Sequence, residues 1–211
     1  MKTAFMYLNG SHINERRLRS VIKETQCIIA VDGGANYLHS HNIIPDVLIG
    51  DMDSIDKDVY RILNQNNTKM LIHPKEKDQT DSELAISYAM EQGYTQIVIA
   101  GFGGDRLDHM IATIHFLCNV INKIKVKIIQ NNENIYLITK SLQFQGKKDD
   151  EVSIIPLLTD AKGVTTKGLQ YGLSDELLNL SSTRGVSNVM SDATASITLK
   201  KGRLMVVHRY L

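Results

Sequence analysis

The sequence has no tryptophan, only two cysteines and three prolines, and no excess of either charge. Cys27 and Cys118 sit in apolar surroundings without CxxC spacing, which argues against a disulfide scaffold or a thiolate zinc site. They are expected to be buried free thiols in a reducing compartment. Lys and Arg number 24 against 23 Asp and Glu, a formal charge of +1, so nothing recommends nucleic acid or an anionic membrane surface as partner. No apolar run approaches the ~20 residues of a membrane span. The run from Met1 to Leu8 stops at Asn9-Gly10, too short for the core of a signal peptide. A cytoplasmic protein is expected. There are no repeats and no low-complexity stretches.

What is present is apolar mass for a core: 43% of the 211 residues are hydrophobic, with a mean hydropathy of -0.15. That suffices for one large domain or two modest ones. Up to about residue 131 strand and helix patterns alternate. Ala4 to Leu8 reads as a strand and Glu15 to Glu24 as a helix carrying Leu18, Val21 and Ile22 at helical spacing. Cys27 to Val31 is a continuous apolar run of the kind that forms a parallel strand covered on both faces. Further strands are expected at Val47–Ile49, Met70–Ile72, Ile97–Ala100 and Val126–Ile129. Helices are expected from Ala35, over 56–66, from Thr80 or Asp81 to a stop at Gly93, and from Asp108 to about Asn122. The alternation predicts an α/β fold with a doubly wound parallel sheet. After Asn132 helical periodicity fades and strand-like alternation takes over, as in Val152–Ile155, Val164–Thr166, Ser196–Leu199 and Leu204–Val207. A second domain, an all-β sandwich or barrel over 132–211, is expected, with Lys200-Lys201-Gly202-Arg203 read as a hairpin turn.

Acidic residues and glycines recur where the N-terminal strands end. The clusters are Asp32-Gly33-Gly34, Gly50-Asp51-Met52-Asp53, Lys77-Asp78-Gln79-Thr80-Asp81, and Gly101-Phe102-Gly103-Gly104-Asp105-Arg106-Leu107-Asp108-His109. Ligands of open α/β sheets bind outside the carboxyl ends of the strands. Acidic loops meeting at one sheet edge repel one another unless a cation and a polyphosphate lie between them. If the strand geometry continues past Gly50, Asp51 and Asp53 project to the same face, a spacing that suits Mg²⁺ held by one or two carboxylates and substrate phosphates. Against this stands the preference of Asp for turns and helix caps. Its repetition after successive strands tips the reading towards a site. Asp78 and Asp81 open a helix, where acidic residues also complement the dipole, and Lys77 beside them can hold a phosphate. Gly103 and Gly104 can make a phosphate-approaching turn or a plain one. Arg106 at the following helix start can brace phosphoryl oxygens, while His109 reads equally as a structural residue. Ser187 and Asn188 alone are loop residues without a role.

With those residues in view, the chain resembles the thiamine pyrophosphokinases of bacterial type. The likeness rests on DGGA from Asp32, PDVLIGDMDS from Pro45 to Ser54, KDQTD from Lys77 to Asp81, GGDRLDH from Gly103 to His109, and TRGVSN from Thr183 to Asn188. The resemblance implies an α/β nucleotide-binding domain, a β-sandwich and a homodimer. It implies a transfer of pyrophosphate from ATP to thiamine that needs Mg²⁺ and leaves AMP. By position it implies Asp51, Asp53, Asp78 and Asp81 as metal ligands and, with Arg106 and Asp108, as the catalytic set. It places Asp32, Gly33, Lys77, Gln79, Thr80, Gly103, Gly104, Arg106 and His109 around ATP. Ser187 and Asn188 are implied to hold thiamine. Animal members carry a tryptophan beside the thiamine, and this chain has none. Two other readings stay open: a DxD-type metal-dependent nucleotidyl- or glycosyltransferase or phosphohydrolase, and a non-catalytic nucleotide-binding regulator.

Overall fold

A computed structural model describes residues 1–211. The chain forms two compact units, Met1–Phe116 with Lys123–Asn131, and Leu117–Asn122 with Asn132–Leu211, so the last turn of one helix groups with the second unit.

In the first unit, β1 (Thr3–Tyr7), β2 (Cys27–Val31), β3 (Val47–Gly50), β4 (Lys69–Ile72), β5 (Gln96–Ala100) and β6 (Lys125–Ile129) alternate with α1 (Glu15–Ile22), α2 (Gly34–Ser40), α3 (Lys57–Gln65), α4 (Asp81–Glu91) and α5 (Leu107–Val120). The strands pair in parallel in the order β6-β5-β1-β2-β3-β4. Every residue of the central β1 is buried, because helices cover both faces of a parallel sheet. Leu18 of α1, Leu38 of α2 and Leu63 of α3 pack with Phe5, Tyr7, Ala30 and Leu48 on one face. Burying each such leucine stabilises the unit by about 1.5–3 kcal/mol. On the other face, α4 packs across β2 and β3 with Ala85, Ile86 and Ala89 inward. Helix ends follow their local chemistry. The Asn14 side chain accepts the Arg17 N–H at 2.9 Å to start α1, and Thr80 accepts that of Glu83 at 3.2 Å to start α4.

Chain direction across this sheet reverses once. From β1 the strands step outward to β4, then α4 carries the chain back so that β5 lies on the other side of β1. The gap above the carboxyl ends of β1 and β5 is therefore the topological switch point, where such sheets bind ligands.

The second unit holds two antiparallel sheets. One has the order β12 (Asn188–Val189), β9 (Glu151–Pro156), β14 (Leu204–Arg209), β7 (Glu133–Ile138). The other runs β11 (Glu176–Leu178), β10 (Ala161–Lys167), β13 (Thr194–Thr198), β8 (Ser141–Gln145). Their inner faces share one core that includes Phe144, Val152, Ile154, Val164, Ile197, Leu204 and Val206, the sandwich the alternation predicts. The expected hairpin at Lys200–Arg203 is not one. Its flanking strands lie in different sheets: β13 pairs with β8 and β10, β14 with β7 and β9. Lys201 bridges to Lys162 instead, and this turns the chain from one sheet to the other. No helix is long and apolar enough to cross a membrane.

Candidate active site

A cleft of about 580 Å³ opens at the switch point of the first unit. Its walls are the loops that follow the strands: Asn9 and Gly10 after β1, Asp32 after β2, Asp51 and Asp53 after β3, and Gly101 to Arg106 after β5. Lys75, Thr80, Asp81 and Ser82 lead into and begin α4, and His109 and Thr113 belong to α5. The two switch-point loops are stitched together by backbone bonds, Leu8 N to Ala100 O at 2.9 Å and Ser11 N to Gly103 O at 2.5 Å. Glycine is required at Gly50, whose φ of 151° an L side chain rarely adopts and whose absent Cβ leaves the space that Asp32 Oδ1 fills.

Asp32 is the electrostatic centre. Its backbone is left-handed at φ 45°, and its Oδ1 is buried without a hydrogen-bond partner. Burial first, then the neighbouring carboxylates of Asp81 and Asp51, push its pKa up to about 7, against a weaker lowering by the Met52 backbone N–H. Asp81, the first residue of α4, has Lys77 Nζ 2.9 Å from its Oδ1. That ion contact is out of line for a hydrogen bond, so Oδ1 also stays unsatisfied, while Lys77 donates to Pro74 O at 3.0 Å.

Asp51 and Asp53 both reach the cleft, but not as an extended pair. Met52 turns the chain at φ 66°, and Asp51 Oδ1 accepts the Asp53 N–H at 3.0 Å. Strand geometry thus ends at Gly50, a local Asx turn having replaced it. Asp53 faces Lys75 Nζ at 2.8 Å, and that hydrogen bond holds its carboxyl below the usual range. Arg106 donates to both oxygens of Asp108, at 3.0 and 2.8 Å. This bond holds the Asp108 carboxyl far below the usual carboxylate range, which unsuits it as a proton acceptor.

The structure thus gathers Asp32, Asp51, Asp53, Thr80, Asp81, Gly103, Gly104, Arg106 and His109 around the cleft. Gly33, Lys77, Asp78, Gln79 and Asp108 stand off its wall. Gly33 caps α2 against the Asn9 side chain. Asp78 is exposed, and Gln79 donates to Glu83 at 3.1 Å on the outside of α4. Lys75, Asn9 and Ser82 line the cleft unforeseen. Only the strand order, which periodicity does not give, makes Asn9 a candidate, and nothing in the sequence prefers Lys75 to Lys77.

No three carboxylate, imidazole or thiolate groups are grouped so as to cage a metal ion on their own. Mg²⁺ does not require this, since one or two carboxylates, water and substrate phosphates complete its shell. The unsatisfied oxygens of Asp32 and Asp81 are hard donors of that kind, and the residues present fit the ion.

In the second unit Ser187 is exposed at φ 57° with its N–H on Ser153 Oγ at 3.1 Å. Asn188 is buried, and its side chain is spent on the backbone of Tyr171: Oδ1 accepts the Tyr171 N–H at 3.0 Å and Nδ2 donates to Tyr171 O at 2.7 Å.

A doubly wound sheet with an acidic, glycine-rimmed cleft at its switch point, joined to a β-sandwich, defines a class of α/β protein built to hold a phosphorylated ligand. Comparison with known proteins narrows it. Residues 18–130 match the family described as thiamin pyrophosphokinase, catalytic domain, and residues 136–204 match the thiamin pyrophosphokinase vitamin B1 binding domain. The thiamine pyrophosphokinase of Bacillus subtilis (strain 168) is 31% identical over 183 residues, 85% of each chain. A crystal structure of thiamine pyrophosphokinase from Bacillus subtilis superposes with a TM-score of 0.86 at 27% identity, covering 99% of both chains. Yeast thiamin pyrophosphokinase shares the fold, with a TM-score of 0.83 at 16% identity over 99% of this chain and 86% of that one. The chain belongs to the thiamin pyrophosphokinase family.

Proposed function

We propose that the protein transfers the pyrophosphoryl group of ATP to the hydroxyl of thiamine, giving thiamine pyrophosphate and AMP. The observation that carries this reading is the switch-point cleft, where carboxylates lie beside glycine-rich backbone and Arg106, in a chain matched along both units by the family. The thiamine oxygen forms a bond to the β-phosphorus as the bond from that phosphorus to the AMP oxygen breaks, so positioning and charge neutralisation dominate. Residues 1–131 take the nucleotide. Gly103 and Gly104 let the backbone approach the phosphates, Thr80 and His109 flank them, and Arg106 braces the transferred group. One or two of Asp32, Asp51, Asp53 and Asp81 would hold Mg²⁺ together with phosphate oxygens, and the ion would supply polarisation of the polyphosphate and charge for the departing oxygen. The hydroxyl proton leaves late from a weakly acidic alcohol, so a base contributes little, and Asp108 is not that base.

Residues 132–211 take thiamine, with Ser187 as the exposed polar contact and Asn188 holding the loop beside it. The exposed apolar side chains Tyr171, Leu177, Leu180 and Val186 support a homodimer, of an enzyme working in the cytoplasm. The test is incubation with ATP, Mg²⁺ and thiamine. AMP and thiamine pyrophosphate are expected in equal amounts. ADP or phosphate released without dependence on thiamine assigns the cleft to a phosphohydrolase, and tight nucleotide binding without turnover to a regulator.

A further inference from the structure

The second unit buries an ionisable pair that the reaction does not use. His208 on β14 is 0% exposed and Asp150, just before β9, is 2% exposed. His208 Nε2 meets Asp150 Oδ2 at 2.8 Å, between the rings of Phe144 and Tyr210, while Nδ1 has no partner. Asp150 also accepts the Lys147 N–H at 2.8 Å and the Leu211 N–H at 3.4 Å. A side chain at position 146 would press on His208 Nε2 and Asp150 Oδ2, so Gly146 keeps the pair's space open. Packing alone does not explain the arrangement, because apolar residues of the same volume fill a core without desolvating charge.

Its backbone connections supply the reason. Asp150 O accepts the Met190 N–H and Asp149 N donates to Met190 O, each at 2.9 Å. These bonds continue the pairing of β12 with β9, which on its own is two residues long: Asn188 opposite Val152 and Val189 opposite Glu151. A strand that short does not fix its own register. The Asp150 carboxylate, tied on three sides, anchors the turn whose carbonyl holds Met190, the residue that follows Ser187, Asn188 and Val189 in the chain.

We propose that the Asp150–His208 pair is a positioning device for the thiamine-binding segment, setting the register of β12 and hence the place of Ser187. This rests on the reading of Ser187 as a thiamine contact. The test compares KM values in the full-length protein. His208→Phe, which keeps a ring and loses the donor, and Asp150→Asn are expected to raise the thiamine KM about tenfold with the ATP KM and kcat within about twofold. His208→Gln, which retains a donor, is expected to restore most of the thiamine affinity. A variant that melts lower with both KM values unchanged, or one that shifts both equally, overturns the inference. If His208→Phe does not fold, Asp150→Asn carries the same comparison. Ser187→Ala separates the two claims. A raised thiamine KM there without one in the pair variants sinks the positioning role alone. An unchanged thiamine KM in Ser187→Ala sinks the thiamine reading of β12 and the inference with it.

Discussion

A carboxylate set half-buried between two others favours the native state only when positive charge joins it, and Asp32, beside Asp81 and Asp51, is in that position. Of the other cleft carboxylates, Asp53 has Lys75 and Asp81 has Lys77 as local cations. Asp32 has none. Asp32→Asn is therefore expected to cut kcat/KM at least about a hundredfold, yet to melt at the same or a higher temperature than wild type in chelator, as differential scanning fluorimetry will read. A clear fall in melting temperature would make Asp32 an architectural residue. Asp108 gives the opposite case. Its ion pair with Arg106 lies in the open, so Asp108→Asn should leave kcat within about threefold and act mainly on the ATP KM. A collapse of kcat would give Asp108 a part in the chemistry itself. These residues show what the sequence discloses at this scale. Asp32, Asp51, Asp53 and Asp81 are legible because acidic residues recur after apolar runs. Where Asn188 sends its amide is not, because the Tyr171 backbone that satisfies it is 17 residues away.

Elements were more legible than their partners. The parallel strands of the first unit are written as unbroken apolar runs and its helices as amphipathic stretches, α4 with Thr80 and Gly93 at its ends, so their placement follows from local chemistry. Sheet membership is a long-range matter, which is why Lys200–Arg203 resembled a hairpin and is a crossing between sheets. The end of β3 combines both kinds of information. Gly50 reads in sequence as a turn glycine, but the structure adds that Asp32 occupies the space beside it. Gly50→Ala should thus strain the backbone and displace Asp32 together, destabilising the protein by about 1–3 kcal/mol in urea titration and weakening nucleotide binding. A loss confined to stability would mean that Asp32 can relocate without consequence for the cleft.

Across the whole molecule the two units carry one half-buried and one buried carboxylate shifted in opposite directions, so acid should act on them with opposite signs. In the first unit the folded pKa of Asp32 is raised to about 7 from 3.8. Between those values the folded state binds more protons than the unfolded one, so metal-free stability falls as pH rises through that window. In the second unit burial pushes the Asp150 carboxyl up, but the Lys147 N–H, His208 and the Leu211 N–H outweigh it and leave the pKa lowered from 3.8. That contribution is fully present above the unfolded value and is lost as pH falls below it. Hydrogen–deuterium exchange in chelator, with intrinsic exchange rates corrected for pH, resolves the two. From pH 7 to pH 5, segments around Asp32 and Asp81 should gain protection while those around Asp150 and Met190 hold steady. Below about pH 4, a bound set by the carboxylate reference value, the second group should open first, and Asp150→Asn should flatten that acid limb without touching the first. Saturating Mg²⁺ and ATP should remove the neutral-pH slope of the first unit, because a ligand that needs ionised carboxylates stabilises the state in which Asp32 has lost its proton. If both units respond to acid alike, and nucleotide leaves the slope unchanged, the carboxylate of Asp32 is not where nucleotide and metal are received.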